Sequence, residues 1–147
     1  MRENFQLTQP LAAPRSATKR ILIVEDNALN MKLLRDVLEA YGYETITTGE
    51  GMEGVILACE HQPDLILMDI QLPDISGYDA VRQLKGHPPT RTIPVVAVTA
   101  FAMSGDERKA LMSGCDAYLP KPISLRDFIG VVERFIGAAG GAAGGLR

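Results

Sequence analysis

A chain of 147 residues, 46% hydrophobic and 22% charged, has room for one packed fold and too little for two ordinary domains, and its balance excludes a largely disordered protein. The net charge of −3, with Lys and Arg dispersed along the chain, excludes a footprint for the phosphate backbone, so no direct nucleic-acid binding is expected. No apolar run approaches the roughly 18 to 20 residues of a membrane span, and Leu11-Ala12-Ala13 is too short for a signal-peptide core, so a cytoplasmic protein without membrane insertion is expected.

Residues 1–18 mix Gln, Pro, Ser, Thr and Ala without period and read as a flexible arm; the fold is predicted to start at Lys19. Ile21-Leu22-Ile23-Val24 is continuously apolar, the pattern of a central strand in a parallel sheet covered on both faces. Leu34, Val37, Leu38 and Tyr41 then recur at helical spacing, with Gly42 as a stop. Glu44–Thr48 is more polar and suits an outer strand, and Met52, Val55, Ile56 and Cys59 mark a second helix. Leu65–Met68 is a second apolar strand, followed by a helix on Tyr78, Val81 and Leu84. Val95–Val98 is the third apolar strand, and the polar segment Ser104–Ser113 reads as a fourth helix. Ala117-Tyr118-Leu119 is a short last strand, and Leu125, Phe128, Ile129, Val132, Phe135 and Ile136 form one apolar stripe capped by Ser124. From Gly137 to Arg147 the Gly/Ala repeat reads as a flexible tail, leaving 19–136 as the folded domain. Cys59 and Cys115 share no Cys-x-x-Cys spacing and read as packing residues of a reducing compartment.

Five βα units imply an α/β fold: a doubly wound five-stranded parallel sheet in the order 2-1-3-4-5, with ligands at the carboxyl ends of its central strands. The polar residues fall at those ends. Glu25 and Asp26 follow the first strand, Asp69 the third, Thr99 ends the fourth and Lys121 follows the fifth. Carboxylates sharing one crevice repel unless a cation is present, and hard oxygen donors without a His or Cys pair select Mg²⁺. Asp26 and Asp69 are the expected direct ligands. An Asp carboxylate can attack phosphorus, and phosphoryl transfer mainly requires positioning and charge neutralisation. Asp69 is the expected nucleophile, with Mg²⁺ and Lys121 balancing charge.

Taken singly, each residue has an ordinary reading: Asp69 as a cap, Thr99 as a β-branched strand end, Lys121 as a surface lysine, Glu25-Asp26 as a helix cap and Tyr118 as core packing. Their joint placement at strand ends favours chemistry. A rival sits at Gly49-Glu50-Gly51-Met52-Glu53-Gly54, which satisfies Gly-x-Gly-x-x-Gly after a strand and spells dinucleotide binding. Against it, these glycines follow the outer strand, away from the switch point of the sheet. A phosphatase with an aspartyl phosphate intermediate commonly sets a second Asp two residues after the nucleophile, where this chain has Gln71.

Ile21–Asn27, Leu67-Met68-Asp69-Ile70-Gln71-Leu72-Pro73, Val98-Thr99-Ala100 and Lys121-Pro122 together resemble the receiver domains of bacterial response regulators, over residues 19–136. The resemblance implies a flavodoxin-like (βα)5 receiver fold and a two-component phosphorelay. It implies Asp69 as phospho-acceptor, Glu25 and Asp26 as an acidic pair, the Gln71 carbonyl as a further Mg²⁺ ligand, Thr99 as switch hydroxyl, Tyr118 as the aromatic that follows it, Lys121 as phosphate partner, and a cis peptide before Pro122. Glu25 stands where an Asp is common. Val24–Lys32 and Ile93–Met103 are similar in wording to the single-domain cell-division regulators of the family, which implies a stand-alone switch in cell-cycle control; receiver modules of hybrid histidine kinases are the alternative. His61 and His87 fall in predicted loops on the far side of the sheet, so the phosphodonor is expected in trans, as a histidine kinase or histidine phosphotransferase docking on Asn27, Asn30, Leu34 and Pro122. With no second domain predicted, the output is expected to be a downstream protein effector meeting the fourth helix, fifth strand and last helix. No turnover of outside substrates is expected beyond loss of the protein's own phosphate, tuned by Gln71 and Phe101.

Overall fold

The computed structural model describes residues 18–100, 108–109 and 112–138. Strands β1 (Arg20–Val24), β2 (Glu44–Thr48), β3 (Leu65–Asp69), β4 (Val95–Thr99) and β5 (Ala117–Pro120) form one parallel sheet in the order β2-β1-β3-β4-β5. The helices described over their whole length are α1 (Ala28–Ala40), α2 (Gly51–His61), α3 (Gly77–Lys85) and α4 (Leu125–Ile136). The expected fold class and strand order are therefore observed. The helix expected over Ser104–Ser113 lies mostly outside the described residues, as do the arm and most of the tail.

Alternation along the apolar strands explains the layers. Ile21, Ile23, Leu65, Leu67, Val96 and Val98 point to one face, where Leu34 and Leu38 of α1 and Phe128, Ile129 and Val132 of α4 cover them. Leu22, Val24, Ile66, Met68, Val95 and Ala97 point to the other, against Ala58 of α2 and Ala80, Val81 and Leu84 of α3. A strand buried on both faces has no polar position to spare, which is why β1, β3 and β4 read as unbroken apolar runs. β2, at the edge, keeps exposed Glu44 and Thr47.

Helix starts follow side-chain chemistry. Asn27 caps α1 by accepting from Asn30 N–H at 2.9 Å, and Ser76 and Ser124 cap α3 and α4 in the same way. The Glu25-Asp26 pair is thus not the cap of α1, which leaves both carboxylates for the strand ends. Gly42, at φ +97°, turns the chain out of α1 through the left-handed region, the stop its type predicts. No helix among the described residues is long and apolar enough to cross a membrane.

Candidate functional site

Strand register assembles the site. Val24 pairs with Met68, Asp69 with Val98 and Thr99 with Pro120, so the residues that end or follow β1, β3, β4 and β5 reach one edge of the sheet together. They border a cleft of about 520 Å³ lined by Glu25, Asp26, Asp69 and Lys121, with Asn27, Asn30, Gln71 and Ala100 at its rim. Carboxylate oxygens of Glu25, Asp26 and Asp69 lie within 4.8 Å of one another. Glu25 and Asp69 are each only 3% exposed, whereas Asp26 opens to solvent. Lys121 Nζ lies 3.0 Å from Glu25 Oε1 and 3.3 Å from Asp69 Oδ2.

Three carboxylates face one ammonium, and the electrostatics register the imbalance. Burial pushes the Asp69 carboxyl up to about 6, with the Glu25 charge adding to it, while the Gln71 N–H at 3.1 Å and Lys121 pull the other way. Burial lowers Lys121, yet hydrogen bonding and attraction from Glu25 and Asp69 outweigh it and hold the ammonium above the ordinary lysine value. Clustered carboxylate oxygens left with too little positive charge are a donor set for a hard divalent cation of the Mg²⁺ kind, and neither His nor Cys belongs to the group.

Thr99 is fully buried at the end of β4, and its carbonyl accepts from Lys121 N–H at 2.7 Å. Tyr118 pairs with Ala97, two residues before Thr99, and is half-buried against the α2–α3 side of the core. Gln71 is exposed on the loop after β3, and Asn27 N–H donates to Glu25 Oε2 at 3.1 Å. The Lys121–Pro122 peptide is cis, as the resemblance implies. Phe101 lies outside the described residues.

Leu34 needs correction as a docking residue. It is 2% exposed and packs on Leu38, Phe128 and their neighbours, because its place on the apolar stripe of α1 turns it inward. Only its edge floors a groove of about 420 Å³ between Asn30, Leu33, Ala100, Pro122 and Ile123, beside the acidic cleft. The apolar surface that α1 does offer is Leu29, 78% exposed, and Leu33, 46% exposed; both lie off the stripe, and that could have singled them out. His61 proves to be the last residue of α2 and not a loop residue, its carbonyl bonded by the Arg20 side chain at the opposite edge of the sheet.

Asp74 and Gly77 escaped sequence reasoning. Asp74 takes the N–H groups of Gly51 and Met52, at 2.8 and 2.9 Å. Those are the donors that a bound pyrophosphate would need at the start of α2, so the dinucleotide reading loses its anchor. Gly51 and Gly54 serve packing: a Cβ would fall 2.8 Å from Ile75 Cγ1 on the first and 2.8 Å from Val24 Cγ2 on the second. Gly77 passes so close to the Asp69 main chain that a Cβ would meet its carbonyl oxygen at 2.3 Å. The residue type alone carried no such signal.

Residues 21–133 match the response regulator receiver domain family. The chain is 57% identical over 122 residues to the polar-differentiation response regulator DivK of Brucella ovis, an alignment covering 83% of this chain and 99% of that protein. Among solved structures it resembles the receiver domain of the sensor histidine kinase PA1611 from Pseudomonas aeruginosa, which holds a magnesium ion in its active site cleft (TM-score 0.77, 34% identity, 83% of this chain and 100% of that one). It also resembles the receiver domain side of a Saccharomyces cerevisiae co-crystal between the histidine phosphotransfer protein Ypd1 and its downstream response regulator Ssk1 (TM-score 0.74, 32% identity, 81% of this chain and 89% of that one).

Proposed function

The chain belongs to the response regulator receiver domain family, and from that premise we propose that it is a cytoplasmic phosphorelay switch that accepts a phosphoryl group on Asp69 and changes its protein partners, without turnover of outside substrates. The observation that carries this reading is the position of Asp69: buried at the end of β3 beside two acidic neighbours, with the Lys121 ammonium bridging it to Glu25. A carboxylate oxygen of Asp69 attacks the phosphorus of a phosphohistidine; the new O–P bond forms as the N–P bond breaks, and the imidazole leaves and takes up a proton. Glu25, Asp26, Asp69 and the Gln71 carbonyl would hold Mg²⁺, which supplies neutralisation of the charge on the phosphoryl oxygens. Lys121 stays ionised between Asp69 and Glu25 and contributes a fixed positive charge there.

Switching follows from the same charges. A phosphoryl group adds about −1.5 to −2 charges and three acceptor oxygens. Lys121 and the Thr99 hydroxyl are the donors that can turn to it. Charge-assisted bonds contribute about 1.5 to 3 kcal/mol each, so two approach the ~5.5 kcal/mol that inverts a 1:99 equilibrium. Ordering of loops offsets part of this, so partner binding completes the change. Tyr118, two residues along the same side of the sheet, would follow Thr99.

The likeness to DivK over 99% of its length favours a single-domain regulator acting in cell division or polar differentiation over a receiver module of a hybrid kinase. The Ypd1–Ssk1 likeness supports a histidine phosphotransferase or histidine kinase as donor, docking where Asn27 and Asn30 border the cleft and Leu33 and Pro122 line the groove beside it; the output is a downstream protein effector. Mixing the chain with a phosphorylated phosphotransfer protein and Mg²⁺ tests this. Label should pass to the wild type and not to Asp69→Asn; equal labelling of both, or of neither, would refute the assignment.

A further inference from the structure

The loop that follows Asp69 is fastened to α2 by a side chain the acceptor chemistry does not use. Asp74 Oδ1 accepts from Gly51 N–H at 2.8 Å and Oδ2 from Met52 N–H at 2.9 Å. These are the opening residues of α2, whose own N-cap residue Glu50 makes no side-chain cap. A carboxylate there meets both the unsatisfied donors of a helix start and the positive end of its dipole. The two N–H groups, Met52 first, hold the Asp74 carboxyl below its ordinary value, so the contact is made by the ionised form.

The same loop is held at its base by Gln71 N–H on Asp69 Oδ1, at 3.1 Å, and by Gly77 N–H on the Ile70 carbonyl, at 2.9 Å. Ile75 and Leu72 press on Gly51 from the side. Residues 70–76 belong to no helix or strand. Where the Gln71 carbonyl lies therefore depends on those anchors, and Asp74 supplies the distant one.

We infer that Asp74 is a positioning residue of the acceptor site: by pinning the loop to α2 it holds the Gln71 main chain where it can share a cation with Asp26 and Asp69. This rests on the phosphoryl-acceptor reading. If Asp74 only capped α2, its removal would lower stability and leave cation affinity alone.

Calorimetric titration with Mg²⁺ and labelling by acetyl phosphate, on the full chain, separate the two roles. Asp74→Ala should weaken Mg²⁺ binding roughly tenfold, the low end of what loss of an outer support does to a metal site, and slow labelling at limiting Mg²⁺ by a similar factor. Saturating Mg²⁺ should restore the rate, and Asp74→Asn, which keeps one acceptor oxygen, should recover most of the affinity. Tyr43→Phe loses a hydrogen bond to the Gly137 carbonyl far from the site; it should be destabilised with Mg²⁺ affinity unchanged. An Asp74→Ala protein that melts lower yet binds Mg²⁺ like the wild type, or a Tyr43→Phe protein that loses as much affinity, overturns the inference. Wild type that takes up neither Mg²⁺ nor phosphate overturns the acceptor reading and this inference with it.

Discussion

As the proposed acceptor, Asp69 is under two demands: it would have to be ionised to attack phosphorus, and it sits where burial and Glu25 disfavour the charge. Because its folded value is raised to about 6, the folded state holds a proton there that the unfolded chain gives up near the ordinary carboxyl value of 3.8. Without divalent cation, stability should thus fall as pH rises from about 4 through 6. Asp36 and Asp74 are lowered, by Lys32 and by the Met52 N–H respectively, and their contribution is lost only as pH falls below the ordinary carboxylate range. Lys121, raised, stays charged throughout. Urea denaturation in EDTA should give a higher midpoint at pH 5 than at pH 7, and Asp69→Asn should remove most of the difference; an unchanged difference would contradict the assignment to Asp69. At this scale the sequence was informative on which side chains come together, since Glu25, Asp26, Asp69 and Lys121, each at or just beyond a strand end, do share one cleft. It was silent on Asp74, since an exposed Asp in a loop reads the same whether or not it meets a distant helix.

At the scale of elements, the loop between β3 and α3 carries the tightest constraint. A Cβ on Gly77 would fall 2.3 Å from the Asp69 carbonyl oxygen and 2.6 Å from Ile70 Cα, both main-chain atoms that cannot swing aside. Gly77→Ala should cost about 3 kcal/mol, the upper part of the usual range for overpacking, and should slow acetyl phosphate labelling by displacing the acceptor loop. Urea denaturation and labelling rates measure the two effects; wild-type values for both would contradict the close approach. Strands and helices were legible in the sequence because their burial repeats: unbroken apolar runs for β1, β3 and β4, a helical stripe for α4. The stripe on α1 was equally clear, and it argues against Leu34 as a docking residue, since the residues that mark a helix by periodicity are those that the core hides. A docking surface has to be sought off the stripe, at Leu29 and Leu33.

Across the molecule, α1 and α4 cover one face of the sheet, α2 and α3 the other, and the carboxyl edge between them is left open to bring charges together. The acidic cleft and the apolar groove beside it share Asn30, Ala100 and Lys121, so the proposed chemistry and the proposed docking would meet on one surface. Leu33→Asp should therefore reduce transfer from a phosphorylated phosphotransfer protein at least tenfold while leaving labelling by acetyl phosphate unchanged; equal loss in both assays would contradict a docking role. The chain order of elements and the site edge were legible because parallel βα units admit few arrangements. Contacts between distant loops were not, because no periodicity records them. Whether Asp69 carries phosphorus is decided by incubating the protein with acetyl phosphate and Mg²⁺ and weighing it intact. One phosphate adduct on wild type, absent from Asp69→Asn and from wild type in EDTA, is the predicted result; an adduct that survives the substitution, or forms equally without divalent cation, would contradict it.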